Sequence, residues 1–371
     1  MSIQATSQPT IIVTALLDWI AAGRRDLPWR HARTPYAVWI SEVMLQQTQV
    51  ASVTPYFERW MIRFPSVRAL AEAPLDGVLK AWEGLGYYAR ARNLHAAARE
   101  IVAQYDGEVP ADREALLRLP GIGRYTAGAI LSLSYGHAEP ILDGNVRRVL
   151  CRVDDIADKP KAPATEQRLW ERADALVNAA PAGRAADLNE ALMELGALVC
   201  RPVNPDCAAC PLSGSCLAHG RGVEAERPVK TVRKRTPHYD VTAALIRDPD
   251  GCFLIVRRPA EGLLGGLWGF PGSAAGDCDA PVARPDALAP CLANALRETL
   301  GIQVEVGEAL PTIRHAYTHF RITLHPFRSR VVSGEPQALG YPDVRWVSVA
   351  EMMRYAFPVT DRRIAGMLRN D

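Results

Sequence analysis

Two carboxylates, a glycine-bracketed turn and four closely spaced cysteines are the residues best equipped for chemistry in this 371-residue chain. Glu42 lies in the apolar-periodic segment 36–50, flanked by Ile40, Val43 and Met44. A glutamate on an apolar helix face pays desolvation for its charge, so it can hold its proton near neutral pH and serve as an acid. Asp143 opens a later apolar-periodic helix. It reads either as a helix N-cap or as a reacting carboxylate. Before it comes the turn 119–123, Leu-Pro-Gly-Ile-Gly, in which Gly121 and Gly123 bracket Ile122. Such a turn leaves bare N–H groups at the start of the next helix, where an anion such as a phosphate fits. The cysteines are Cys200, Cys207, Cys210 and Cys216, with Pro211 directly after the third. Three readings are open: a four-iron cluster, a four-cysteine zinc site, or chance. Zinc sites more often pair two short knuckles, and one Cys-x-x-Cys is present here. Cys151, Cys252, Cys278 and Cys291 have no partner by spacing and read as packing residues.

The elements that must position these groups follow from periodicity. Helices are predicted over 10–23, 36–50, 55–63, 74–82, 87–105, 166–178 and 187–199, with the hairpin pair 114–117 and 125–133. Arg30 sits in a loop beside Pro28 and Trp29, and Tyr87 in a Gly/aromatic turn at 84–90. From residue 239 the texture changes to short β-type runs at 240–247, 252–257, 312–317, 320–327 and 344–347, with helical pieces at 288–300 and 349–354. The intervening stretch is polar, Pro-containing and basic, including the run Lys230–Arg235. The expected organisation is therefore a helical domain over 1–221, a linker over 222–238 and a mixed domain over 239–371.

Composition sets limits. A net charge of +2 from 43 Lys/Arg and 41 Asp/Glu does not by itself point to nucleic acid. There is no apolar run of membrane-spanning length and no signal-peptide pattern at the N-terminus, so the expectation is an intracellular protein without a membrane partner.

The segment around Glu42 resembles, almost letter for letter, the first signature of MutY-type adenine DNA glycosylases. The hairpin followed by Asp143 resembles the helix-hairpin-helix glycosylase superfamily, and the cysteine spacing resembles the iron–sulfur loop of its endonuclease III/MutY branch. Residues 265–272 and Arg297-Glu298 resemble a Nudix fold. The resemblance implies a multidomain fold: an all-α helix-hairpin-helix domain with a [4Fe–4S] loop, then an α+β Nudix-like lesion-recognition domain. It implies one structural cluster on Cys200, Cys207, Cys210 and Cys216. It implies base excision of adenine opposite 8-oxoguanine or guanine in double-stranded DNA, by a bacterial, cytoplasmic monomer. Glu42 would protonate adenine, Asp143 would stabilise the oxocarbenium, and Tyr125 and Asn145 would orient Asp143 and the attacking water. Arg30, Gln47, Thr48, Leu85, Tyr87, Gly121 and Gly123 would contact substrate or DNA. Tyr317, Thr318 and His319 stand where the family has Phe-Ser-His and would read the lesion. In the slot where endonuclease III carries its Schiff-base lysine, this chain has Tyr125, which implies a monofunctional enzyme. The rivals are a bifunctional glycosylase/lyase and a non-catalytic DNA-binding scaffold. A Nudix hydrolase is disfavoured, because Thr299-Leu300-Gly301 replaces the start of the magnesium-binding register.

Overall fold

The computed structural model describes residues 8–230, 236–273 and 285–369. Most of the basic run Lys230–Arg235, and Cys278, lie outside the described residues. The chain divides into two compact units, Met1–Glu72 with Asn93–Arg233, and Ala73–Arg92 with Lys234–Asp371. The segment 73–92, placed in the helical domain on periodicity, thus groups with the second unit. Its anchors explain why. Glu83 Oε1 accepts from Arg362 Nη2 at 2.6 Å and from the Phe357 amide at 3.0 Å, and Arg92 donates to the Gly265 carbonyl at 2.6 Å. Partners so far apart in the chain leave no trace in a local period.

The first unit is helical. Its central element, Pro35–Leu45, is capped by Thr34, whose hydroxyl accepts from the Ala37 amide at 3.2 Å. Every residue from Tyr36 to Met44 is buried, so this helix is enclosed on all sides and Glu42 with it. The helix ends at Leu45, five residues earlier than its period suggested, because Gln47 takes a left-handed backbone (φ 57°) and Val50–Arg63 starts a new helix. The hairpin joins Arg113–Arg118 to Arg124–Tyr135. Gly121 has φ 76°, and a Cβ there would lie 2.7 Å from Asn93 Cβ, so both conformation and space require glycine. A further close approach is at Gly196, where an added Cβ would meet Asn145 Cβ at 2.6 Å. Its absence lets Ala185–Leu198 close onto Gly144–Val153. No helix among the described residues is long and apolar enough to cross a membrane.

The second unit contains β1 (His238–Ile246), β2 (Phe253–Arg257), β3 (Trp268–Gly269), β4 (Gln303–Ala309), β5 (Ile313–Ala316), β6 (Arg321–Ser333) and β7 (Asp343–Val347). In one sheet β6 pairs in parallel with β1 and antiparallel with β4 and β5; the other runs β3-β2-β7. Alternate residues of β1 enter opposite cores. Ala243 and Leu245 join Phe253, Trp268 and Phe357, while Ala244 and Ile246 join Leu288, Leu292, Leu296 and Leu300 of helix Pro285–Leu300. Strands β3 and β4 and helix Val359–Met367 go beyond the elements expected from the sequence, and the piece predicted at 349–354 is a 3₁₀ turn, Glu351–Arg354. Cys291, read as a packing residue, is disulfide-bonded. Pairing depends on Cβ separation in space, which spacing along the chain does not report.

Candidate active site and cysteine loop

The first unit contains a cleft of about 710 Å³ whose lining includes Glu42, Tyr125, Asp143, Asn145 and Glu190. Residues far apart in the chain are thus brought together, each by a helix start or an enclosed helix face. Glu42 is 5% exposed. Burial, with smaller contributions from Asp143 and Glu190, raises its pKa to about 7, against the opposing effect of a hydrogen bond from the Tyr125 hydroxyl to Oε2. Tyr125 itself is pushed up by burial and by the two acids, so it stays a donor. Asp143 is the N-cap of Gly144–Val153: Oδ1 accepts from the Val146 amide at 2.7 Å and Oδ2 from Asn145 Nδ2 at 2.9 Å. The N-cap reading is therefore correct as geometry, and it leaves the carboxylate lining the cleft. Burial raises its pKa while these amide donors pull it down. Arg148 extends the chain of contacts, donating to Asn145 Oδ1 at 2.8 Å, the Gly196 carbonyl at 2.6 Å and the Cys200 carbonyl at 2.7 Å.

Arg30 lines the cleft, but its guanidinium is committed to protein: Nη1 bonds Glu194 at 2.6 Å and the Arg25 carbonyl at 2.9 Å. Gln47 and Thr48 line the same cleft, Gln47 exposed and Thr48 half-buried. Gly123, the N-cap of Arg124–Tyr135, is exposed, with nothing within 4 Å of where a Cβ would stand.

Cys200, Cys207, Cys210 and Cys216 line one pocket, with Arg152, His219 and Glu224. The sulfurs meet N–H donors: the Leu212 amide at Cys210, the Ala218 and His219 amides at Cys216, and Arg152 Nη1 at Cys200, 3.2 Å away. Burial pushes the Cys210 thiol up to about 11 and raises Cys207 and Cys216 as well. N–H donors aimed at sulfur favour its thiolate form, the form that binds a metal. The donor set fits a metal–sulfur group with four cysteine ligands.

Residues 40–175 match the HhH-GPD superfamily of base excision DNA repair proteins, and residues 242–366 match the NUDIX domain. The chain is 35% identical to the adenine DNA glycosylase of Homo sapiens, over 94% of this chain and 72% of that one. It is 33% identical to that of Rattus norvegicus, over 94% and 76%. It belongs to the adenine DNA glycosylase family. A Buchnera aphidicola member is 42% identical over 69% of this chain and 72% of its own. A solved thermostable thymine-DNA glycosylase aligns with TM-score 0.52 at 30% identity, over 58% of this chain and 97% of that one.

The residues expected from the sequence to read the lesion lie in the second unit. Thr318 and His319 are exposed at the tip between β5 and β6, whereas Tyr317 is half-buried against His315 and Phe320, at ring-centroid distances of 4.6 and 4.9 Å. Tyr87 is 44% exposed, has φ 48°, and shares a hydroxyl–hydroxyl hydrogen bond with Thr318. Leu85 is 7% exposed and has little surface to offer a strand. Gln47 and Tyr87 both hold left-handed backbones, a strain of about 1–3 kcal/mol each that folds tend to retain at functional positions. Sequence reasoning missed Glu190 and Glu194. The available signal was two acids, four residues apart, on the helix Ala185–Leu198, which is apolar apart from them, Asp187 and Asn189.

Proposed function

We propose that this adenine DNA glycosylase hydrolyses the N-glycosidic bond of adenine paired with 8-oxoguanine or guanine in duplex DNA. The observation that carries the reading is a buried, protonatable Glu42 sharing one cleft with an amide-bonded Asp143. Adenine leaves poorly as an anion, so its ring must be protonated as the bond breaks. With Oε2 occupied by the Tyr125 hydroxyl, the Glu42 proton resides on Oε1 and is available to a base in the cleft. Positive charge left on the sugar is stabilised by Asp143, which Asn145 and the Val146 amide hold in place. A duplex base reaches such a cleft by leaving the stack. Tyr87 fills the vacated space, Gly121 and Gly123 receive a backbone phosphate, and Gln47 and Thr48 meet the opposing strand. Arg30 holds the cleft wall through Glu194 and Glu190. Thr318 and His319 read the base opposite adenine, and Tyr317 supports their loop. Tyr125 cannot form an imine, so the strand is left uncut.

Cys200, Cys207, Cys210 and Cys216 would hold one [4Fe–4S] cluster, whose role when bound is a structural cross-link with every iron position taken by thiolate. The protein would act as a cytoplasmic monomer.

The test is single-turnover base release from duplexes with adenine opposite 8-oxoguanine, guanine or thymine, each read with and without hot alkali. Alkali-dependent cleavage opposite the two purines alone supports the reading. Cleavage without alkali, with efficient borohydride trapping, would move the protein to the lyase class. Absence of release with DNA binding intact would make it a scaffold. Glu42→Gln and Asp143→Asn should each lower the rate by roughly two or more orders of magnitude, the scale of acid and electrostatic catalysis, with DNA affinity retained.

A further inference from the structure

Arg152 lies on helix Gly144–Val153 and is 2% exposed, beside the four-cysteine pocket. Its Nη1 donates to Cys200 Sγ at 3.2 Å and to the Arg201 carbonyl at 2.8 Å. Its Nε donates to the carbonyls of Glu224 and Arg227 at 2.9 and 3.0 Å, and Cys216 Sγ stands 3.3 Å from its own carbonyl. Nη2 is buried with no hydrogen-bond partner among the described residues. A buried guanidinium donor left unsatisfied is destabilising, so its retention calls for an acceptor. The pocket it lines holds all four cysteines of the loop, with His219 and Glu224 beside them. Four thiolates around an iron–sulfur core leave excess negative charge, and Arg152 is a buried, permanent cation already bonded to one of those sulfurs.

We propose that Arg152 is the buried counter-charge of the cluster, donating through Nη1 to the Cys200 thiolate and through Nη2 to a cluster sulfur, so that it retains the cluster and raises its reduction potential. This rests on the [4Fe–4S] reading of the loop. N–H donors to cluster sulfurs stabilise the more electron-rich state, which fixes the sign. Arg152 also ties down residues 224–227 through their carbonyls, and a purely structural role would end there.

The experiment uses the full chain as wild type, R152K and R152M, anaerobically reconstituted. Iron and acid-labile sulfide per chain, the decay of the cluster's visible absorbance in air, and the voltammetric midpoint are measured. Both variants lose the fork that holds three carbonyls, so both should melt earlier, whatever the role. The proposal expects R152M to lose its cluster several-fold faster than wild type and to show a lower midpoint. R152K, with one ammonium in place of two donor groups, should shift the same way by less. A variant that loads its cluster and keeps the wild-type midpoint and decay would overturn the proposal, and R152K alone suffices if R152M does not fold. Wild type that takes up zinc, or no iron and sulfide, would instead overturn the cluster reading itself, and metal analysis of wild type tells the two failures apart.

Discussion

At the scale of single residues, the site depends on keeping a carboxyl group neutral where most glutamates are charged. Glu42 is raised by burial to about 7 from an ordinary value of 4.5. The folded state therefore binds this proton more tightly than the unfolded chain does. Its stabilising contribution is fully present below the unfolded value and is lost as pH rises through the folded one. A shift of this size corresponds to about 3 kcal/mol at most, at roughly 1.36 kcal/mol per unit. Glu42→Gln should consequently melt higher than wild type at mildly alkaline pH, with the difference vanishing as pH falls below the ordinary carboxylate range. Equal melting temperatures across that range would mean that Glu42 is solvated. Asp143 behaves differently although it too is raised, because amide donors from Asn145 and Val146 favour its charged form. The two acids are thus separated in role by what they accept from their neighbours.

At the scale of elements, the cleft wall is held by an ion network on one face of Ala185–Leu198. Arg25 and Arg30 bond the Glu194 carboxylate at 2.7 and 2.6 Å, and Arg24 and Arg33 bond Glu190 at 3.1 and 2.9 Å. Both glutamates are buried. Removing one partner of a buried pair strands the other charge, so Glu194→Ala should destabilise by about 3–5 kcal/mol. Chemical denaturation would check this, and a change below about 1 kcal/mol would class the network with surface pairs. The hairpin was legible in the sequence because Gly121 sits where only glycine fits. The enclosed helix around Glu42 was legible because nearly every residue in it is apolar. Its end was not, since the polar run Gln46–Gln49 holds no glycine or proline to mark a break, and the break lies in the Gln47 backbone. The glutamate network was illegible because its arginines lie near the other end of the unit's sequence, 157 positions away for Arg33 and Glu190. Strand β4 escaped because, apart from Val304 and Val306, it faces outward.

At the scale of the whole molecule, catalysis and lesion reading are assigned to different units, and this separates their mutational signatures. Thr318 and His319 are exposed, while Tyr317 is packed among His315 and Phe320, with burial pushing its phenol up to about 12. Thr318→Ala and His319→Ala should lower the preference for 8-oxoguanine over guanine opposite adenine, by roughly tenfold for about 1.4 kcal/mol of lost contact, with melting unchanged. Tyr317→Ala should lower the melting temperature. Single-turnover rates on both duplexes, paired with calorimetry, distinguish these outcomes. An unchanged preference in both exposed variants would remove this loop from lesion recognition.

Catalysis as proposed turns on Glu42 delivering a proton to the departing base. The most direct measurement is the pH dependence of single-turnover adenine release, from about pH 5 to about pH 9, for wild type and Glu42→Gln. A general acid with pKa near 7 predicts a rate that is level at low pH and falls about tenfold per unit on the alkaline side. The Glu42→Gln variant should be slower by orders of magnitude and lack that fall. A wild-type rate that stays flat or climbs through this range, or a Glu42→Gln variant that keeps the alkaline fall, would contradict the account.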